Sequence, residues 1–265
     1  MSVPIAASIA GSDSSAGAGV EADLKTFAAL GVYGATIVTA VTAQNTRGVF
    51  AIHPVPPDFI AAQINAVFTD LAVGAVKIGM LGTAPAIDVV AAALDRYRPR
   101  NVVLDPVMVS TSGTRLLPED ALDSLRALVS RAHVLTPNLP EAAALLGIPP
   151  ACDESEMQAQ AQKLLALGAR AVVIKGGHGS GRESVDFLIA ADRRLRLAAP
   201  RLATRNTHGT GCTFAAALAA GLAKGLALEE AAQGAKTFVS AAIAAADRLG
   251  VGAGRGPLHH FHAWW

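Results

Sequence analysis

The chain has 265 residues, 52% of them hydrophobic and 16% charged, with 22 basic side chains against 21 acidic ones. That length and apolar content suffice for a sizeable buried core and argue against disorder, while the near-cancelled charge argues against a nucleic-acid groove or a basic membrane patch. The two cysteines, Cys152 and Cys212, form no CxxC, which removes the zinc-ribbon and disulfide-framework readings.

Taken in chain order, the first basic residue is Lys25, so the N-terminus lacks the positive start of a secretory signal. The longest uncharged stretch, 26–46, is too polar for a membrane span. The expectation is a cytoplasmic globular protein. Apolar runs at 5–10, 35–41, 75–78, 102–104, 133–135 and 171–174 read as parallel strands buried on both faces. Between them, Ile60, Ile64, Val67, Phe68 and Leu71 line one helical face, and Met157, Ala161, Leu164 and Leu165 line another. Alternating strands and helices predict a mainly parallel sheet between helix layers, an α/β class. After Lys175 the rhythm changes. An antiparallel pair, 184–189 and 195–197, is expected around 192–194, followed by helices at about 210–224 and 228–249. No Pro-, Gly- or Ser-rich linker interrupts the chain, and a single domain over 1–265 is expected.

In an open parallel sheet the ligand sits beyond the carboxyl ends of the strands. There the chain has Gly11-Ser12-Asp13, Gln44-Asn45, Gly79-Met80, Asp105-Pro106, Thr136-Pro137-Asn138 and Lys175-Gly176-Gly177. Gly17-Ala18-Gly19-Val20-Glu21-Ala22 matches a dinucleotide fingerprint, but it starts well after the strand end and lacks the acidic ribose partner about 20 residues on. A dehydrogenase reading is therefore set aside. The strongest signal is Asn206-Thr207-His208-Gly209-Thr210-Gly211-Cys212-Thr213, at the start of an Ala-rich helix. Its glycines let successive N–H groups converge at a helix N-terminus, which suits a phosphoryl group in flight, although an ordinary Gly-containing cap has the same pattern. The same helix end is expected to lower the pKa of the Cys212 thiol, whereas Cys152 reads as a small hydrophobe. Lys175 either neutralises phosphate or extends to solvent from its strand. Asn138-x-x-Glu141 either caps a helix or helps hold Mg²⁺, with Asp105 as the second carboxylate. The His- and Trp-rich tail 258–265 reads as a docked segment with its Trp residues packed on the body, or as a metal site.

Together these motifs resemble the hydroxymethylpyrimidine/phosphomethylpyrimidine kinases of the ribokinase-like superfamily, over the whole chain. The resemblance is carried by 10–19 with Ala22-Asp23-Leu24-Lys25, Val41-Thr42-Ala43-Gln44-Asn45-Thr46, Lys77-Ile78-Gly79-Met80-Leu81 and Asp105-Pro106-Val107-Met108. It continues through Thr136-Pro137-Asn138-Leu139-Pro140-Glu141, Lys175-Gly176-Gly177-His178, Gly209-Thr210-Gly211-Cys212 and the 259–265 tail. Glu21 stands where the family often has Gln. The resemblance implies a three-layer α/β/α fold, a homodimer, and ATP- and Mg²⁺-dependent phosphorylation of 4-amino-5-hydroxymethyl-2-methylpyrimidine, then of its monophosphate. By similarity, Gln44 and Asp23 hold the pyrimidine, with Gly11, Met80 and Val107 around it. Cys212 takes the place of the ribokinase base within Gly209, Thr210 and Gly211. Lys175, Lys236, Asn138, Glu141 and Thr207 attend the nucleotide, and Asp105 and Glu141 attend the metal. The alternatives are a pyridoxal kinase of the same fold and a catalytically idle nucleotide- or vitamin-binding module.

Overall fold

The apolar runs become the centre of an eight-stranded sheet in a computed structural model that describes residues 3–177 and 181–265. β1 (Ile5–Ala10) pairs in parallel with β2 (Tyr33–Val38) on one side and β5 (Ala75–Ile78) on the other. β6 (Val102–Leu104), β7 (Val134–Leu135) and β8 (Ala171–Lys175) continue the parallel order. β9 (Glu183–Ala190) and β10 (Arg194–Pro200) complete the edge as the antiparallel pair expected from the sequence.

Helices cover both faces, because strands buried on two sides need two apolar layers. On one face lie α2 (Pro57–Asp70), α3 (Ala84–Tyr97), α4 (Leu122–Val129), α5 (Leu139–Leu146) and α6 (Glu154–Leu165). Ile60, Ile64, Val90, Leu128, Leu145 and Leu164 join them in one buried cluster with the sheet. On the other face α1 (Gly19–Ala29), α7 (Thr210–Ala223) and α8 (Leu228–Ala244) pack through Phe27, Leu218 and Val239. Each fully buried Leu, Ile or Phe contributes about 1.5–3 kcal/mol. Residues 213–222 of α7 are all buried, which explains why that helix has no polar face. Gly221 permits the close approach of α8, since a Cβ there would lie 2.8 Å from Ala231 Cβ.

Several boundaries differ from the sequence reading. The single strand expected over 35–41 is two strands. β2 ends at Val38, and β3 (Ala40–Asn45) pairs with β4 (Gly48–Pro54) in a separate two-stranded sheet. Thr39 makes the break: its N–H donates to the Ala10 carbonyl (3.0 Å) and its hydroxyl to the Met80 carbonyl (2.7 Å). Both partners are distant in sequence, so the apolar run conceals the turn. The last helix stops at Ala244 and continues as a single 3₁₀ turn over Ala246–Leu249.

The tail docks through other side chains than expected. Leu258, His259 and His260 are buried, and His260 Nε2 lies 3.0 Å from Thr213 Oγ1. Trp264 and Trp265 are 70% and 72% exposed, with the Trp265 ring 4.6 Å from the His259 ring. Burial pushes His260 down to about 4, with Lys25 adding to the shift. No cluster of three metal-ligating side chains occurs among the described residues, so the tail forms no such site. No helix among them is long and apolar enough to cross a membrane.

Candidate active site

A cavity of about 790 Å³ opens where the strand-end rule places it, beyond β1, β5, β6, β7 and β8. Gly11, Met80, Val107, Asp105, Asn138, Glu141 and Lys175 reach it from those strand ends. Gln44 enters from the β3–β4 sheet, Lys236 from α8, and residues 207–212 form a further wall. Every candidate residue of the sequence reading except Asp23 therefore lines one space. His178, which ends the Lys175 motif, lies outside the described residues.

The 206–213 segment turns as its glycines require. Gly209 has φ +82°, and a Cβ there would collide with the Gly17 carbonyl. The Gly-rich 17–19 segment therefore serves as packing surface for the turn. α7 starts immediately after it, so unpaired helix N–H groups and the positive end of the helix face the cavity. A side chain at Gly211 would press on the Lys175 ammonium at 3.2 Å and the Asp105 carboxylate at 3.6 Å.

Cys212 sits in this first turn, half-buried, and its thiol contradicts the expectation of a lowered pKa. Burial pushes it up to about 11; Lys77 opposes the shift, and the carboxylates of Asp23 and Asp105 reinforce it. Desolvation with two nearby carboxylates outweighs the helix end.

Asp23 is likewise corrected. It is 0% exposed, beneath the cavity floor, and accepts from Lys77 Nζ at 2.8 Å and Ser8 Oγ at 2.6 Å. Lys77 is also completely buried, and its attraction to Asp23 keeps it charged despite the burial. Asp23 does not line the cavity. Its negative charge compensates Lys77, since removing one partner of a buried pair leaves an unpaired charge. The clue available in the sequence was a single Lys inside an otherwise apolar strand.

On the opposite side, Lys175 Nζ donates to Asp105 Oδ1 at 2.7 Å, and Thr136 Oγ1 lies 3.3 Å from the same oxygen. Lys236 Nζ donates to Asp186 Oδ2 at 2.8 Å, while Asp186 Oδ1 accepts the Gly176 N–H at 2.9 Å. Sequence reasoning missed Asp186. Asn138 and Glu141 form the reciprocal cap of α5: the Glu141 N–H donates to Asn138 Oδ1 (2.9 Å) and the Asn138 N–H to Glu141 Oε2 (2.8 Å). Glu141 nevertheless borders the cavity, so capping and ligand contact are compatible in one side chain. Burial raises its pKa to about 7; Lys175 opposes this and Asp105 adds to it.

Cys152 is not the buried hydrophobe expected. It is exposed, with its thiol 3.0 Å from Glu156 Oε2, because the chain there leads into the exposed start of α6.

Comparison with known proteins accounts for this arrangement. The family model for phosphomethylpyrimidine kinase matches residues 13–259. A hydroxymethylpyrimidine/phosphomethylpyrimidine kinase of Rhizobium meliloti is 56% identical, covering 98% of each chain. Among solved structures, the pyridoxal kinase of Staphylococcus aureus in complex with ADP superposes with a TM-score of 0.91 at 32% identity, covering 100% of this chain and 96% of that one. A phosphomethylpyrimidine kinase of Clostridium difficile has a TM-score of 0.81 at 40% identity, covering 90% and 99%.

Proposed function

The chain belongs to the phosphomethylpyrimidine kinase family, and from that premise we propose that it transfers the γ-phosphoryl group of ATP to the hydroxymethyl group of 4-amino-5-hydroxymethyl-2-methylpyrimidine, and then a second phosphoryl group to the monophosphate. One observation carries the reading. The Gly209–Gly211 turn and Cys212 line one cavity with the Gln44 carboxamide, Gly11 and Met80 and with Lys175 and Lys236, each of these lysines paired with a carboxylate.

Phosphoryl transfer is mainly positioning and charge stabilisation. In this reading Gln44 pairs with the aminopyrimidine edge, and Val107 packs beside it. The N–H groups of Gly209 and Gly211 cradle the phosphoryl group in flight, with the Thr210 N–H given to the Thr207 carbonyl and Lys175 offsetting the charge. Lys236, Asn138 and Thr207 attend the nucleotide. A thiol at about 11 is protonated at neutral pH, so Cys212 orients the substrate hydroxyl and does not strip its proton in the ground state. In a loose transition state that proton leaves late. The second transfer needs no base, because the acceptor phosphate is already anionic.

The donor set suits Mg²⁺, which takes one or two carboxylates and fills its remaining positions with phosphates and water. Burial raises the Glu141 carboxyl to about 7 even against the Lys175 ammonium, so its charge is not fully compensated by the protein. With Asp105 it would hold the ion, which supplies charge neutralisation at the phosphates.

Residues 1–265 act as one domain in this reading, located in the cytoplasm. A homodimer is supported by the exposed Val41 and Phe50 on the small β3–β4 sheet, and sedimentation tests it. The function is tested by offering the two pyrimidines and pyridoxal separately with Mg-ATP and identifying products by mass. Both pyrimidines are expected to turn over, and pyridoxal much more slowly. Turnover of pyridoxal alone would replace the substrate with that of the pyridoxal kinases the chain also resembles in structure. Nucleotide binding without turnover would leave a binding module.

A further inference from the structure

Directly before the phosphoryl-transfer turn lies a polar chain of which the roles above use only Gln44. His208 is buried, with Nε2 2.7 Å from Asp13 Oδ2 and 3.3 Å from Gln44 Nε2. Asp13 also accepts the N–H groups of Ser15, Gly17 and Ala18 and the Ser15 hydroxyl. Against burial, which raises it, the hydrogen bonds from His208 and Ser15 hold Asp13 at about 2, so it is a carboxylate at neutral pH.

Donor and acceptor accounting then becomes strict. A carboxylate only accepts, so His208 Nε2 carries a hydrogen in either charge state of the ring. That nitrogen cannot also accept from the Gln44 amine, and two donors would face each other. An independent conflict stands at the other end of Gln44. Thr42 Oγ1 is 3.0 Å from the Ser12 carbonyl and 3.3 Å from Gln44 Oε1. The threonine hydroxyl has one hydrogen, and the Ser12 carbonyl can only accept it. Turning the Gln44 carboxamide over relieves both conflicts. The single His208 Nε2–H, given mainly to Asp13 Oδ2 at 2.7 Å, then meets the Gln44 oxygen as the longer branch of a shared bond at 3.3 Å, and the Gln44 amine donates to Thr42 Oγ1. Carboxamide N and O are distinguished only by such partners.

We propose that Asp13 and His208 are a positioning pair that holds the Gln44 carboxamide with its oxygen toward His208, and thereby sets which way round the substrate ring is read. The proposal rests on the pyrimidine-kinase reading above. An aminopyrimidine edge presents a ring nitrogen that accepts beside an amine that donates. A carboxamide of fixed orientation matches that pair in one order only. The hydroxymethyl group lies next to the amine-bearing carbon. One order therefore turns it toward Cys212, and the reverse order turns it away.

Three variants test this in the full-length enzyme. Asp13→Asn can present an amine to His208, which frees Nε2 to accept and lets Gln44 reverse. His208→Leu removes the donor, and His208→Gln retains an N–H near the same place. Asp13→Asn and His208→Leu are expected to raise the KM for the hydroxymethylpyrimidine at least tenfold while the KM for ATP stays within twofold. The ratio of kcat/KM for the pyrimidine over pyridoxal should fall at least tenfold, and His208→Gln should recover most of both losses. Unchanged pyrimidine KM in the first two variants, a parallel rise in the KM for ATP, or a His208→Gln enzyme no better than His208→Leu would each overturn the proposal. If His208→Leu does not fold, Asp13→Asn compared with His208→Gln decides. A wild-type enzyme that turns over pyridoxal and no pyrimidine would overturn the substrate reading and this proposal together. Unaffected variants beside an active wild type would overturn the proposal alone.

Discussion

Two loop-to-helix junctions border the same cavity, and each places a carboxylate there. Asp13, after β1, gathers the N–H groups ahead of α1 and the His208 ring; Glu141, after β7, caps α5. Their pKa values move in opposite directions, to about 2 and about 7. Both are buried, so burial alone does not separate them. Asp13 is surrounded by donors, whereas Glu141 has few donors and Asp105 for a neighbour, with Lys175 only partly offsetting that charge. A saturated carboxylate is a structural anchor. In the proposed function, an undersatisfied one awaits a cation that arrives with a ligand.

The largest expected effect comes from disturbing the Glu141 side. Lys175→Met removes the cation beside Asp105 and Glu141 that the proposed function sets against the transferred group, and kcat is expected to fall about 10²–10³-fold in steady-state assays. Next is Cys212→Ala, expected to slow the first transfer by about 10²-fold and the second far less, as read by single-turnover assays with each pyrimidine. Equal losses in both steps would assign Cys212 a structural role. Cys212→Asp should impair the second transfer, because it places fixed negative charge beside an incoming phosphate.

The Glu141 titration sharpens the comparison further. A folded pKa raised from 4.5 to about 7 favours the neutral side chain, so its contribution to stability is present below pH 4.5 and is lost as pH rises through 7. Binding of a divalent cation and nucleotide runs the other way. The kcat/KM for Mg-ATP should rise as pH passes 7, by about tenfold, and Glu141→Gln should flatten that limb. The remaining effect, on stability, is at the other junction. Asp13 is lowered from 3.8 to about 2, so its contribution of roughly 2 kcal/mol is present above pH 3.8 and is lost as pH falls through 2. Asp13→Asn should lower the denaturation midpoint near neutral pH and lessen its acid dependence. An unchanged acid limb would show that Asp13 is no anchor.

Much of this arrangement was legible in the residues. Apolar runs located the sheet, and polar residues at their ends located the cavity, because strand ends in a parallel sheet all face one crevice. What was not legible depends on partners distant in the chain. Thr39 looks like one more β-former in an apolar run until Ala10 and Met80 take its hydrogen bonds. Asp23 reads as a substrate ligand until Lys77 and Ser8 claim it from below. Trp264 and Trp265 suggest docking, yet the buried residues of the tail are its histidines and Leu258.

By itself, then, the amino-acid order determined the layers, the position of the cavity and the glycine turn before α7, all of which follow from local periodicity and from φ angles that favour glycine. Tertiary structure decided protonation and orientation: a protonated Cys212, a near-neutral Glu141, an anchored Asp13 and a Gln44 held by His208. These are set by desolvation and by which donors and acceptors meet across the fold, and no spacing along the chain encodes them.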